Sequence, residues 1–411
     1  MNKNKAVVLG GTNSHIELIK DLKRRGYFTI LIDYYETPPA KKHADIHIQE
    51  STMDFNKVLE ICQKEKINLI ISSSVDQANL TACFVAEKLN LPIPYSYKTA
   101  LEVTDKSIMK FKMTKAGIPT SKYITLSKQS KKQDIGQLNF PVMVKPADNC
   151  GSAGVNKANN YEELSLHLNT AYEASRGGMA IVEDFIEGKE ISVYAFIHSG
   201  QAEIIMISER HSTVGGEKNI LMCYATTTTP VISESAMQKI KEASNSIASS
   251  FSLDNTPLHV QAFVNGNDIN IIEFAPRVGG GVSYKTIMMK TGFNIISATV
   301  DSFLGNKVIP KIINNHMFYS INIIYAKSGI LGKVSGLKEF VELGEIEEIN
   351  FYKNEGSLIT DNKASSGRVF NFIVKSHNYH SMVEKVRNIY KKIKIKDLSN
   401  NSDILMKGMN I

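Results

Sequence analysis

Asn270-Ile271-Ile272-Glu273-Phe274-Ala275-Pro276-Arg277 is the stretch on which the fold turns. It reads as an extended, apolar segment with a carboxylate inside it, closed by a proline and an arginine. A carboxylate within an apolar strand needs a cationic partner. Just upstream, Leu258-His259-Val260-Gln261-Ala262-Phe263 has the same extended character, and the connection Val264-Asn265-Gly266-Asn267-Asp268 has hairpin composition. Pairing these strands turns Gln261 and Glu273 toward one side. Two oxygen ligands on neighbouring strands suit Mg2+, which takes few protein ligands and fills the rest with phosphate oxygens and water. Arg277, always charged, follows at the mouth, where it can hold a transferring phosphoryl group. Gly279-Gly280-Gly281 keeps the next turn open to a substrate, and Ser283 and Tyr284 follow as further candidates.

A second segment carries the complementary charge. Phe140-Pro141-Val142-Met143-Val144-Lys145-Pro146 is a strand core with Lys145 inside it, and a buried lysine needs an anion. Directly after it, Asn149-Cys150-Gly151-Ser152-Ala153-Gly154-Val155 is rich in small residues. Backbone N–H groups there can approach an anion closely, and Ser152 adds a hydroxyl. A strand lysine followed by such a flap suits a triphosphate. The order of a P-loop is absent, and the plain alternative is a hairpin loop beside a surface lysine.

Between these lies Ile181-Val182-Glu183-Asp184-Phe185-Ile186-Glu187-Gly188-Lys189-Glu190-Ile191. An extended chain there can offer N–H and C=O groups to an adenine edge, and Glu190 can accept from two ribose hydroxyls. Taken alone, two ordinary strands with solvent-facing acids explain it equally. Glu209-Arg210-His211-Ser212-Thr213-Val214-Gly215-Gly216 reads as a segment between strands, with Arg210 or His211 able to meet a carboxylate substrate. A lone histidine is more often a structural hydrogen-bonder.

Toward the N-terminus the pattern is α/β. Ala6 to Leu9, Phe28 to Ile32 and Leu69 to Ile71 are short apolar strands, alternating with helical faces at Ile16 to Leu22, Phe55 to Ile61 and Leu80 to Leu89. Such alternation predicts a parallel sheet. Gly10-Gly11 ends the first strand, but GGTNSH lacks the spaced glycines of the dinucleotide fingerprint. His43 and His47, in HADIH, read as strand-edge residues. Pro92 and Pro94 mark a linker. From about 105 the texture becomes mixed, with longer strands at 140–146, 179–183, 190–198, 202–208, 257–264 and 269–275. A helix carrying Ile240, Ala243, Ile247 and Phe251 intervenes. A last region from about 311 has strands near 317–325 and 368–374 and a helix near 380–392.

With 411 residues, about three domains are expected. The net charge of +7 is modest and its lysines are scattered, which speaks against nucleic acid as a partner. Cys62, Cys83, Cys150 and Cys223 form no CxxC pair, and Cys62 and Cys83 fall in apolar helical patterns. No apolar run approaches a membrane span and no signal peptide is visible, so the cytoplasm is the expected location.

Four motifs, in this order and spacing, resemble the ATP-grasp superfamily of ligases. They are Thr104-Asp105-Lys106-Ser107-Ile108-Met109-Lys110, the Lys145 strand with its flap, the stretch from Glu183 to Glu190, and the set Gln261, Glu273 and Arg277. Lys115-Ala116-Gly117-Ile118-Pro119-Thr120 also matches a passage usual in that family, and the likeness spans residues 5 to about 305. It implies a Rossmann-like parallel-sheet domain over 1–104, then an ATP-grasp fold of two α+β subdomains, 105–186 and 187–310, clamping ATP, with a C-terminal α+β region over 311–411. It further implies that Lys106 and Lys145 bind the phosphates and that Gly151, Ser152 and Gly154 close over them. Glu183, Phe185 and Ile186 would line the adenine, and Glu190 would take the ribose. Glu273, with Gln261, would hold Mg2+ or Mn2+, and Arg277 would steady an acyl phosphate. Arg210, His211, Gly280 and Ser283 are candidates for the second-substrate pocket. Ala275 stands where the family usually has a metal-binding Asn, and Gln261 where many members have an acid; a Gln there is similar to carbamoyl phosphate synthase-type domains.

The resemblance implies an ADP-forming carboxylate–amine ligase with small-molecule substrates, and it leaves a homodimer open. Three other readings compete. Bicarbonate activation through carboxyphosphate draws on Gln261. A non-catalytic nucleotide-binding regulator draws on Ala275. A nicotinamide oxidoreductase rests only on Gly10-Gly11.

Overall fold

The structure, a computed structural model, describes residues 4–130, 136, 138–149, 154–215, 220–360 and 364–411. At the N-terminus, Lys5–Leu9, Phe28–Asp33, Ile46–Gln49 and Leu69–Ile71 form a parallel sheet. The first strand lies centrally, between Phe28–Asp33 and Leu69–Ile71, and Ile46–Gln49 is an edge. Parallel neighbours need crossovers: helix Asn13–Arg24 joins the first two strands and Phe55–Glu65 leads into the last, after which helix Asp76–Leu89 follows. Cys62 and Cys83 are fully buried, as their helical patterns predict. His47 lies on the edge strand. His43 does not: it ends a short 3-10 helix, Lys41–His43.

The turn after the first strand is closed around His15. Its Nδ1 lies 2.8 Å from Thr12 Oγ1 and its Nε2 lies 3.1 Å from Ser72 Oγ. Burial, opposed only in part by the Leu9 carbonyl, pushes its pKa down to about 3. The folded state therefore holds a neutral imidazole while the unfolded chain takes up a proton below about pH 6.5. Stability from this group is lost as pH falls from 6.5 toward 3. Urea midpoints measured across that window are expected to decline, and His15→Gln should flatten the decline. An unchanged slope in the variant would refute this origin.

From residue 105, strands and loops were the expectation, but helices Tyr97–Thr104 and Lys106–Lys115 come first. Asp105 explains the second helix: its carboxylate accepts from the Ser107 and Ile108 N–H groups and caps it. Next comes a four-stranded antiparallel sheet, ordered Tyr123–Ser127, Met179–Asp184, Val142–Pro146, Asn156–Ala158. Helix Tyr161–Ala174 covers it, packing Leu164 and Ala171 against Val142, Val144, Ala180 and Val182.

The largest layer is an eight-stranded sheet. Its order is Asp268–Ala275, Thr256–Asn265, Lys189–His198, Gln201–Gly215, Ile220–Thr228, Phe318–Tyr325, Arg368–Ser376, Glu348–Phe351. Helix Glu234–Ser250 buries Ile240 and Ile247 with Val193, Val260 and Ile271. After residue 311, Phe318–Tyr325, Arg368–Ser376 and Glu348–Phe351 extend this same sheet, with Thr226 facing Ile321 across the join, while Leu358–Ile359, Gly329–Ser335 and Lys394–Asp397 form a separate three-stranded sheet. Helix Tyr379–Lys392 then packs Met382, Val386 and Ile389 with Phe370 and Phe372.

One expectation is overturned here. Arg210 and His211 do not lie between strands. They sit inside the 15-residue strand Gln201–Gly215, because both of its edges are paired: Glu209 opposes Ile191 on one side and Arg210 opposes Thr226 on the other. A register shift between His211 and Ser212 bends the strand at this point without ending it.

Candidate active site

The small and large sheets face each other across a cavity of about 1100 Å3, lined from both. The small sheet supplies Lys145, whose strand pairs with Met179–Asp184. Lys145 Nζ lies 2.6 Å from Glu183 Oε1, and Lys110 Nζ lies 2.6 Å from Glu183 Oε2. Ser121 Oγ donates to the same carboxylate at 2.8 Å. All three charged side chains are nearly sealed from solvent: Lys110 is 1% exposed, Lys145 5% and Glu183 7%. Burial alone would raise the Glu183 pKa, but Lys110 and Lys145 outweigh it and hold the group at about 2. Burial in turn lowers the pKa of Lys110 against the pull of Glu183.

The large sheet supplies the acids. Gln261 and Glu273 oppose each other in register across a hairpin whose strands end at Asn265 and begin at Asp268. Gly266, at φ +58°, makes that turn. Glu273 Oε2 lies 3.3 Å from Lys106 Nζ, which also donates to the Asn149 carbonyl at 2.6 Å. Burial would raise the Glu273 pKa; Lys106 and Lys145 bring it instead to about 2. Glu190 accepts from Arg210 Nε at 2.6 Å and from Gln261 Nε2 at 3.3 Å. That orientation turns the amide nitrogen of Gln261 to Glu190 and leaves its oxygen for another partner. Among the described residues no group of three or more His, Cys, Asp or Glu side chains could hold a metal alone. Glu273 with the Gln261 oxygen fits an Mg2+ that takes its remaining ligands from phosphate and water.

Arg277 is fixed from the far side of the molecule. Its Nε and Nη2 donate to the two carboxylate oxygens of Asp76 at 2.8 and 3.0 Å, and Nη1 donates to the Val278 carbonyl at 3.0 Å. Nη1 also meets His259 Nδ1 at 3.3 Å. An arginine only donates, so Nδ1 must accept and the ring proton sits on Nε2. Burial first, then Arg277 and Arg210, keeps His259 neutral. Its ring stacks on Tyr194 with centroids 5.2 Å apart.

The remaining candidates fall into place unevenly. Asp184, Phe185, Ile186, Arg210, His211, Gly280 and Ser283 line the same cavity. Lys157 Nζ lies 3.9 Å over the Phe185 ring. His211 Nε2 is 3.0 Å from Thr227 Oγ1, and burial lowers its pKa, the environment of a structural hydrogen-bonder. Ser283 Oγ donates to the Gly280 carbonyl at 3.3 Å. In the glycine run the constrained position is Gly279, where a Cβ would come 2.5 Å from the Tyr194 ring; at Gly280 it would meet nothing within 4 Å. Gly151 and Ser152 lie outside the described residues. Gly154 is described, at φ +75° against Pro146. Glu183 lines the cavity with Phe185 and Ile186, and its carboxylate is committed to two lysines, so only its backbone could meet an adenine edge. Two acceptor oxygens between two buried ammonium groups explain the inward turn.

The Gly10-Gly11 turn offers no dinucleotide site. A Cβ on Gly11 would lie 2.4 Å from the Pro38 Cβ and 3.1 Å from Asp33 Oδ2, so the space above the turn is filled by the protein itself.

Three cavity residues, Asp76, His259 and Tyr194, escaped the sequence, as did Lys110 in the buried cluster on Glu183. Lys110 left a signal, one helical turn after Lys106 and beside Met109 and Met113 on the buried face. Asp76 follows the C-terminal end of a parallel strand, where ligands collect in α/β sheets. Its pairing with a residue 201 positions away has no local signature.

Residues 138–285 match the family model of the ATP-grasp domain. The L-arginine-specific L-amino acid ligase of Bacillus subtilis is 23% identical over 335 residues, covering 78% of this chain and 77% of that protein. An L-amino acid ligase from Bacillus licheniformis superposes with a TM-score of 0.79 at 18% identity, over 97% of this chain and 100% of the other. An N5-carboxyaminoimidazole synthetase from Staphylococcus aureus complexed with ADP superposes with a TM-score of 0.72 at 19% identity, over 95% and 98% of the two chains. At these identities the superpositions establish the fold. No helix among the described residues is long and apolar enough to cross a membrane.

Proposed function

We propose, from the premise that this chain is an ATP-grasp ligase with its ATP-grasp domain at residues 138–285, that it joins a small carboxylate to an amine through an acyl phosphate, releasing ADP and phosphate. One observation carries this reading: Lys106, Lys145, Glu190, Gln261, Glu273 and Arg277 line a single cavity between two sheets. The relatives named for amino acid ligation support it.

The geometry supports a role for each residue. Lys145, braced by Glu183, and Lys106, tied to the Asn149 carbonyl, hold phosphate oxygens. Phe185 and Ile186 take the base, and Glu190, oriented by Arg210, takes the ribose. Glu273 and Gln261 hold Mg2+, which when bound neutralises phosphate charge. The substrate carboxylate attacks the γ-phosphorus in line and ADP leaves. Such a transfer needs mainly positioning and charge stabilisation. Arg277 is clamped by Asp76 on one edge, so its position is set before substrate arrives, and it stabilises the acyl phosphate and the oxyanion formed by the amine. Water must be kept from the reacting groups, since it would otherwise hydrolyse the acyl phosphate. Asn149 and Val155 border this space, and residues 150–153 of the proposed lid, 149–155, lie outside the described residues.

The test is a panel of carboxylates with ATP, Mg2+ and hydroxylamine as the trapping amine. ADP, phosphate and a hydroxamate are the expected products. AMP and pyrophosphate would indicate adenylation and overturn the mechanism. ADP release with bicarbonate alone would indicate carboxyphosphate chemistry instead.

A further inference from the structure

The cavity extends past the nucleotide side into a part built by the strands after residue 311. Ile321, Ile323, Tyr352, Ala364 and Arg368 line it there. Its charge balance is unlike the rest. Lys106, Lys145, Arg210 and Arg277 each have a carboxylate within 3.3 Å. Arg368 has none among the described residues. The only hydrogen bond its guanidinium makes there is from Nε to Tyr325 Oη, at 3.1 Å. That hydroxyl is itself committed, donating to the Cys223 carbonyl at 2.9 Å.

With Nε occupied, the end-on pair Nη1 and Nη2 is the part of the fork left for a ligand. That pair matches the two oxygens of a carboxylate. Tyr352 stands beside it. Its hydroxyl accepts from Asn371 Nδ2 at 2.6 Å, so its own proton remains to be donated. The orientation is enforced from behind: Asn350 Nδ2 donates to Asn371 Oδ1 at 3.2 Å, and Lys285 Nζ donates to Asn350 Oδ1 at 2.7 Å. A partly buried cation without a counter-ion, facing an apolar-walled pocket with a prearranged hydroxyl, is costly to maintain unless an anion arrives. Arg368 is the one charged group lining this end among the described residues, with Lys353 behind it donating to the Arg368 carbonyl at 3.2 Å, and its single planar fork matches a carboxylate.

We propose that Arg368 and Tyr352 form the carboxylate subsite for the acceptor amine, which makes that acceptor an amino acid and not ammonia or a simple alkylamine. The inference rests on the ligase reading above, since it assigns the second substrate of the same cavity. The carboxylate bound here is not the one that is phosphorylated. It anchors the acceptor while the amine reaches the acyl phosphate. No covalent step involves Arg368.

The experiment has two arms. In the first, the protein loaded with Mg2+ and a non-hydrolysable ATP analogue is titrated calorimetrically with the common L-α-amino acids, with ethylamine, with ammonium and with 2-aminoethyl phosphate. At least one amino acid should bind, and Arg368→Met should weaken it by about 10- to 100-fold, the span of a lost charged hydrogen bond. Tyr352→Phe should weaken it about 5-fold, within the range of a neutral bond. Affinity for the analogue should hold within about 2-fold in both variants, which also shows that they fold. In the second arm, hydroxamate formation by Arg368→Met should match wild type, because hydroxylamine has no carboxylate to anchor, while coupling to the amino acid falls. Three results would overturn the subsite: ethylamine or ammonium matching the amino acids, the phosphate ester binding where no amino acid does, or unchanged amino acid affinity in both variants. Absence of hydroxamate with every carboxylate would defeat the ligase reading separately, and the titration would still decide the subsite.

Discussion

ADP release by the Glu273→Ala protein is expected to fall about 1000-fold or more, with the protein still folded. Glu273 lies opposite Gln261 on the hairpin and 3.3 Å from Lys106, with its pKa held to about 2. It is therefore ionised at any pH used for assay and available to a divalent cation. Its removal takes away the carboxylate of the proposed Mg2+ site and leaves Lys106 without its partner acid. Single electrostatic groups of this kind are worth on the order of 100- to 1000-fold in turnover, and a lost metal adds to that. The measurement is a coupled ADP assay across an Mg2+ titration. Nucleotide affinity without Mg2+ should change little, because the lysines and the base pocket remain. Glu273→Asp, which keeps the charge but shortens the reach, should recover part of the activity at high Mg2+. Wild-type turnover in the alanine variant would show that the metal sits elsewhere.

Replacing Glu183 with Gln is expected to destabilise the protein by about 3–5 kcal/mol, the cost of leaving buried charge without its partner. The carboxylate holds Lys110 and Lys145 at 2.6 Å each, and all three side chains are nearly inaccessible. An amide there leaves an oxygen for one lysine, turns an NH2 toward the other and cancels neither charge. Urea denaturation followed by tryptic cleavage around the Lys145 strand reads the effect. Adding Lys110→Met to the Gln variant removes one of the orphaned cations and should restore part of the loss. The pH dependence has a definite direction. The folded pKa of about 2 lies below the ordinary glutamate value of 4.5. The stabilisation is therefore complete above about pH 4.5 and is lost as pH falls toward 2. Wild type should lose stability across that window, and the Gln variant should lack this component. Equal stability of the two proteins at neutral pH would mean that the triad contributes nothing.

The two variants probe different layers of one design. Glu183 is a brace, holding a phosphate-binding lysine in place within the small sheet. Glu273 reaches the ligand. Both are ionised by neighbouring lysines against the pull of burial, and both lysine-bearing segments were visible in the sequence.

How much was legible beforehand differs by residue. The strand containing Lys145, the hairpin carrying Gln261 and Glu273, and the alternating N-terminal sheet announce themselves through patterns only a few residues long. Alternation, turn composition and a charge inside an apolar run are local properties, and local chemistry specifies them. The buried lysine demanded an acid, and the acid exists. Which acid it was could not be read, because Glu183 also satisfied the pattern of a base-binding edge. The helix at Lys106–Lys115 was obscured because its lysines interrupt the apolar periodicity, Lys110 lying on the buried face with Met109 and Met113. Arg210 and His211 were assigned to a connection because the bulge and the long strand around them depend on two partners far along the chain.

The sequence by itself determined the succession of strands and helices, the position of the charged residues within them and the chemistry those residues could perform. Only the tertiary structure decided which charges meet: Arg277 with Asp76 across 201 positions, Lys110 with Glu183, and Arg368 with no acid among the described residues. The reason is physical. Backbone propensity acts over a few residues, whereas an ion pair is chosen by sheet order and by the loss of water from the groups it brings together. The strands Phe318–Tyr325, Glu348–Phe351 and Arg368–Ser376 show this most clearly, since nothing in their own composition required them to join the eight-stranded sheet and complete the far end of the cavity.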